Sequence, residues 1–178
     1  MTTTPRTWVV GEVVSAALLN TEIRDQLNSF FGAWTDYTPS WIAETGGTPT
    51  IGNGTLTGRF LKIGRTVDFL IRLAYGSTST PGNANANWAF GLPPSSTPSS
   101  AFNGARAANV SARLSGAGEV RGSGEISTTN SNSVRNMAGG SVNGTTNQPD
   151  NSFWDQTNPL TAAAGMIMHI VGRYEATS

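Results

Sequence analysis

Leu56-Thr57-Gly58-Arg59-Phe60-Leu61-Lys62-Ile63, then Gly64-Arg65, then Thr66-Val67-Asp68-Phe69-Leu70-Ile71-Arg72-Leu73-Ala74: this run decides the fold. In its first half Leu56, Gly58, Phe60 and Lys62 alternate with Thr57, Arg59, Leu61 and Ile63. That is the period of two by which a strand sends successive side chains to opposite faces. Gly64-Arg65 is short enough for a tight turn, so residues 56–74 predict a β-hairpin.

The same signals recur outward from this hairpin. Residues 37–43 read as a strand with an irregular or edge start at Pro39, because proline donates no ladder hydrogen bond. Residues 88–92 form a short run ended by Pro93-Pro94, and further strands are predicted at 105–114, 119–126, 134–142 and 166–175. The joins are rich in Gly, Asn, Ser and Pro, as turns require. Seven to nine short strands predict a mainly β chain, an antiparallel β-sandwich of jelly-roll type with one N-terminal α-helix. Three joins, 76–87, 93–103 and 143–159, are long enough to carry function. There is no internal repeat that would build a fibre shaft.

Composition narrows the function classes. The 178 residues suit one domain with a sizeable core plus an appendage. Lys+Arg and Asp+Glu stand at 11 each, which gives no net attraction to nucleic acid or an anionic membrane. Charged residues make up 12%, against roughly 25% in ordinary soluble domains, so solubility rests on Ser, Thr, Asn and Gly. Cysteine is absent, which removes disulfides and thiolate metal sites. No apolar segment approaches the roughly 20 residues that span a bilayer, and no basic-then-apolar leader opens the chain. The expectation is a protein made in a cytoplasm and kept there or packaged into something assembled there.

The one helical stretch lies near the N-terminus. Ser15 suits an N-cap and Gly32 the position past a helix end, so residues 16–31 predict a helix of roughly 24 Å. Val13, Ala16, Asn20, Ile23, Leu27, Phe30 and Trp34 recur at spacings of three and four. Two readings follow: a short coiled-coil seam with Asn20 fixing register, or an amphipathic helix lying on its own β-domain. Leu18 and Leu19 fall off the strict seam and point to a second contact surface.

Catalytic chemistry finds little footing. His169 is the only histidine, set in a strand between aliphatics, and no Gly-x-Ser-x-Gly elbow accompanies it. Glu119 with Glu125 and Asp150 with Asp155 are the acid pairs that glycoside cleavage would call on, and neither spacing is specific. Asp150, Asn151 and Asp155 lack the regular acid series of a calcium loop. The glycine-rich run at 46–55 lacks the Gly-Lys-Ser/Thr ending of a phosphate loop and reads as a turn-rich corner. No cofactor is expected. Among aromatics that could stack on a sugar, Trp154 is the best placed because its loop is polar; Trp41 and Trp88 sit in strand-like runs and read as core. The alternative for Trp154 is a buried pin for its loop.

The N-terminal pattern Trp8-Val9-Val10-Gly11-Glu12, then Leu18-Leu19-Asn20 and Ile23-Arg24-Asp25, resembles the opening of virion proteins of tailed bacteriophages, especially phages of actinobacteria. Phe31 to Trp41, Ile51 to Phe69, Trp88 to Pro93 and the closing Gly172-Arg173-Tyr174-Glu175-Ala176 are similar to parts of the same module. Residues 95–159 match nothing in it. The resemblance is to proteins called minor tail or virion-surface proteins, and it carries no catalytic residues. It implies a homotrimeric virion component, with residues 1–36 as an assembly or anchoring arm and 37–178 as a β-sandwich. Trp8, Val13, Asn20, Ile23, Leu27, Phe30 and Trp34 then form the assembly interface. Three roles stay open: a tail-tip or fibre-like adsorption module facing host glycan, a capsid decoration or head-fibre protein on the major capsid lattice, and a glycan depolymerase.

Overall fold

Among the described residues, nine antiparallel strands are built outward from the hairpin at residues 55–74. The computed structural model describes residues 6–83, 86–94, 96–115, 117–129, 132–139 and 153–177, without the side chains of Gln26 and Ser29. Strand β1 is Thr35–Tyr37, β2 Trp41–Ala43, β3 Thr55–Ile63, β4 Thr66–Ala74 and β5 Trp88–Gly91. They are followed by β6 Ala105–Leu114, β7 Gly118–Ser127, β8 Ser133–Ala138 and β9 Ile167–Glu175. β3 and β4 pair along their whole length, from Thr55 opposite Ala74 to Ile63 opposite Thr66. Gly64 takes φ +58° while Arg65 keeps a negative φ, the type II′ pattern whose twist matches that of the strands it joins.

Mainly antiparallel β structure is thus what the sequence predicted, and the strand limits agree within a few residues. All nine strands lie in one hydrogen-bonded sheet, ordered β1-β3-β4-β9-β6-β7-β8-β5-β2, which curls on itself. The segment read as one strand at 37–43 is two, because Pro39 interrupts the ladder. This break lets one stretch of chain serve both edges of the sheet: Tyr37 pairs with Gly58 of β3, and Trp41 pairs with Phe90 of β5. Between them the Gly91 N–H donates to the Ser40 carbonyl at 2.9 Å, and the Tyr37 hydroxyl donates to the Gly91 carbonyl at 3.3 Å. Gly58 is required at this crossing, since a Cβ there would run into the Tyr37 ring and Pro39.

The core fills the inside of the curl. β4 supplies Val67, Phe69, Ile71 and Leu73, all buried, and β9 supplies Met168, Ile170 and Tyr174. Trp41 stands edge-on to Trp88 at 5.3 Å between ring centroids and stacks on Phe90 at 6.2 Å, joining β2 to β5 by ring contact as well as by hydrogen bonds. Trp41 and Trp88 are therefore core residues, as their strand-like context predicted.

The long joins are tied down where they are described. Asn53 Oδ1 accepts from the Thr78 N–H and hydroxyl, both at 3.0 Å, so the glycine-rich corner holds the start of the 76–87 join. In the 93–103 join, Ser99 N–H donates to the Glu175 carbonyl at 2.7 Å and the Tyr174 hydroxyl donates to the Ser96 carbonyl at 2.7 Å. Residues 140–152, which include the end of the strand expected at 134–142 and most of the third join, lie outside the described residues.

Candidate functional site

The candidate site is the N-terminal arm, residues 6–34, whose local structure follows from a few polar contacts. The Glu12 N–H donates to the Val9 carbonyl at 3.1 Å across Gly11, which stands at φ +83°. Such a turn needs a residue free to adopt a positive φ, and Gly11 supplies it. Arg6 pairs with Glu12 and lies 5.6 Å from the Trp8 ring centroid, so one arginine holds the turn and covers the indole. Ser15 then caps the helix, its Oγ accepting from the Leu18 N–H at 3.2 Å.

The helix runs over residues 16–30 but is not uniformly α. α1 (Ala16–Leu19) passes into a π segment, Asn20–Arg24, before α2 (Asp25–Phe30). The Asp25 N–H reaches back five residues to the Asn20 carbonyl. The wider turn rotates Ile23 and Leu27 relative to Val13 and Ala16, so the predicted spacings do not make one continuous heptad seam. Asn20 sits where the apolar row changes phase. In addition, the Thr21 hydroxyl donates to the Ala17 carbonyl at 3.2 Å, a back-bond that competes with regular helix at that point.

Burial distinguishes the two readings of this helix within a single chain. None of its described side chains is buried, and α1 and the π segment bury none at all. The helix therefore does not lay an apolar face on its own sheet. Val13 is 87% exposed, Leu27 53% and Phe30 60%, with Trp8, Ile23 and Trp34 also exposed. Of the twelve exposed large hydrophobic side chains described, all but Val171 fall between Trp8 and Trp34. The sheet presents its polar side to water; the arm presents an apolar one.

Of the two readings of Trp154, the structure shows the buried pin and not the sugar contact. It is fully buried, its N–H donates to the Met137 carbonyl at 2.7 Å, and its indole N–H donates to the Gly139 carbonyl at 3.2 Å. Its own carbonyl accepts from the Trp88 N–H at 3.0 Å. The ring pins its loop between β8 and β5, and neither face is open to a sugar.

The candidate acids are explained by structure. Glu119 and Glu125 lie six residues apart on β7, about 20 Å along an extended strand, well beyond the roughly 5–10 Å that glycoside cleavage needs. Asp155 accepts from the Thr157 N–H at 2.6 Å, the Thr157 hydroxyl at 2.9 Å and the Asn158 N–H at 2.9 Å, which closes a turn. Asp150 and Asn151 lie outside the described residues. Among the described residues no cluster of three or more His, Asp or Glu side chains is placed to hold a metal ion, and no helix is long and apolar enough to cross a membrane.

Sequence reasoning passed over one arrangement. Arg72 of β4, His169 of β9, Ser111 of β6 and Arg121 of β7 stand directly opposite one another in a row across the outer face. Alternation places each on the polar side of its strand, but only the pairing of distant strands lines them up.

Comparison with protein-family models, with characterised proteins and with solved structures finds no match to this chain.

Proposed function

We propose that this chain is a structural protein of a bacteriophage virion, a tail-tip or fibre-like module that faces the host. In this reading the curled sheet is a jelly-roll-like sandwich, three copies associate, and residues 8–34 attach them to one another and to a neighbouring virion protein. The observation that carries it is the concentration of exposed apolar side chains in the arm, which a chain working alone in water has no reason to keep. The resemblance of the arm and of residues 51–69 to phage virion proteins supplies the kind of particle.

Magnitudes say how the arm would work. Complete burial of a large apolar side chain contributes about 1.5–3 kcal/mol. Six such half-exposed residues offer on the order of 5–10 kcal/mol per copy, against an association cost of about 4–15 kcal/mol. A seam of this size gives concentration-dependent association by itself and firm attachment once a particle surface adds its own contacts. The π segment fits a docking role better than a long self-coiling one, because it breaks the phase that a coiled coil needs.

Immunogold labelling or reconstruction of the particle tests the proposal. Signal at the tail end is the expected result. Signal on the capsid lattice would replace the tail role with a decoration or head-fibre role, and absence from the particle would overturn both.

A further inference from the structure

We infer that the outer face of the sheet, across β4, β9, β6 and β7, binds an acidic saccharide of the uronic type. The inference rests on the reading of the sheet as the outward-facing part of the protein and names what that face recognises. Two neighbouring hollows mark it. One, of about 670 Å³, is bounded by Leu70 and Arg72 of β4 together with Arg59 and Tyr37; the other, of about 340 Å³, is bounded by Ser111, Glu119, Arg121 and His169. Leu70 lies opposite Val171 and Arg72 opposite His169, so the two hollows meet along the β4–β9 ladder. A smaller third hollow extends the second to Arg113.

The charges define the ligand. Arg121 is already paired with Glu119 at 2.9 Å. Arg72 and Arg113 have no acidic partner within ion-pair distance among the described residues. They stand on opposite sides of β9, two strand spacings or about 9.6 Å apart across the sheet, and are offset along it. Two separated guanidinium groups suit carboxylates spaced along a chain better than one compact anion. His169 on β9 and Ser111 on β6, beside and between them, bond hydroxyls, and the Glu119 carboxylate stands beyond, on β7 opposite Arg113. Glu119, neutralised by its pair with Arg121, accepts hydrogen bonds from sugar hydroxyls; a nucleic acid is disfavoured by the chain's equal 11 basic and 11 acidic residues, which give no net pull on a dense phosphate backbone. Val171, 44% exposed, offers the apolar contact that a pyranose ring face requires.

Titration of the full chain with trigalacturonate at low salt, followed by calorimetry, tests the inference, with maltotriose and a short single-stranded DNA as comparisons. Saturable binding of trigalacturonate, tighter than either comparison, is expected. The double variant Arg72→Gln, Arg113→Gln should weaken it about a hundredfold, each charge-assisted hydrogen bond lost being worth about tenfold. An unchanged near-ultraviolet circular dichroism spectrum would show that the variant is folded. No saturable binding, equal binding of maltotriose, tighter binding of DNA, or an unaffected double variant would each overturn the inference. None of these outcomes involves the arm, so the virion role stands or falls separately on where the protein sits in the particle.

Discussion

At the scale of single residues, Trp154 and Trp8 make an instructive pair. Both are tryptophans in irregular segments, yet one is fully buried and the other 43% exposed. Trp154→Ala should cost about 3–5 kcal/mol in urea unfolding, the usual loss for emptying a large buried ring site. Trp8→Ala should leave unfolding of the isolated chain within about 0.5 kcal/mol of the parent, because its ring covers no core. Gly58 provides a sharper test of the closing segment. Gly58→Val should destabilise by about 1–3 kcal/mol or more, since its side chain would push Tyr37 and Pro39 away from β3. A Gly58→Val chain as stable as the parent would remove the close approach on which the seam depends. The sequence left Trp154 open between a sugar contact and a buried pin, and Gly58 looked like one more residue in an alternating strand.

At the scale of elements, two tyrosines, one tying β1 to the end of β5 and the other tying β9 to the 93–103 join, confer a dependence on pH. Burial pushes the Tyr37 hydroxyl well above the usual tyrosine range, with the neighbouring Tyr174 adding to it, and burial does the same to Tyr174. Both donate to backbone carbonyls in their neutral form. Because the folded values lie above the unfolded value of about 10, the contribution is fully present below about pH 10 and is lost as the pH rises further. Urea midpoints should be flat from neutral pH to about 9 and fall beyond 10, and Tyr37→Phe, Tyr174→Phe should flatten that fall. A midpoint that drops equally in the double variant would assign the alkaline loss to other groups. The helix makes a different prediction. Ile23→Asp, Leu27→Asp places charges on side chains that are 46% and 53% exposed, so the isolated chain should keep its stability. Sedimentation at rising concentration should show the parent associating and the double variant remaining monomeric. Equal behaviour of the two would remove this face from the assembly surface.

For the whole molecule, the division of labour follows from where water is excluded. The curl of the sheet encloses the aromatic and aliphatic side chains that stabilise the fold, leaving Ser, Thr, Asn and Arg on its outside. The arm contributes nothing to that core and leaves its apolar side chains exposed. On the proposed virion role, particles assembled with the Ile23→Asp, Leu27→Asp chain should lack this protein while the chain itself accumulates folded; immunoblots of purified particles would show it. Normal incorporation would mean that the sheet, not the arm, makes the attachment.

The sequence by itself determined the local facts. Alternation along residues 56–74, the Gly64-Arg65 turn and the prolines at 39 and 93 act over a few residues, so the strands and their limits could be read directly. The Ser15 cap and the span of the helix were legible for the same reason. What only the tertiary structure decided was lateral. Which strands pair, that residues 35–43 serve both edges of one sheet, and that Arg72, His169, Ser111 and Arg121 form a row all depend on contacts between residues far apart in the chain. Burial belongs to the same class, because it is a property of what covers a side chain. Periodicity marked the apolar row of the helix, but only packing showed that its own sheet leaves that row uncovered.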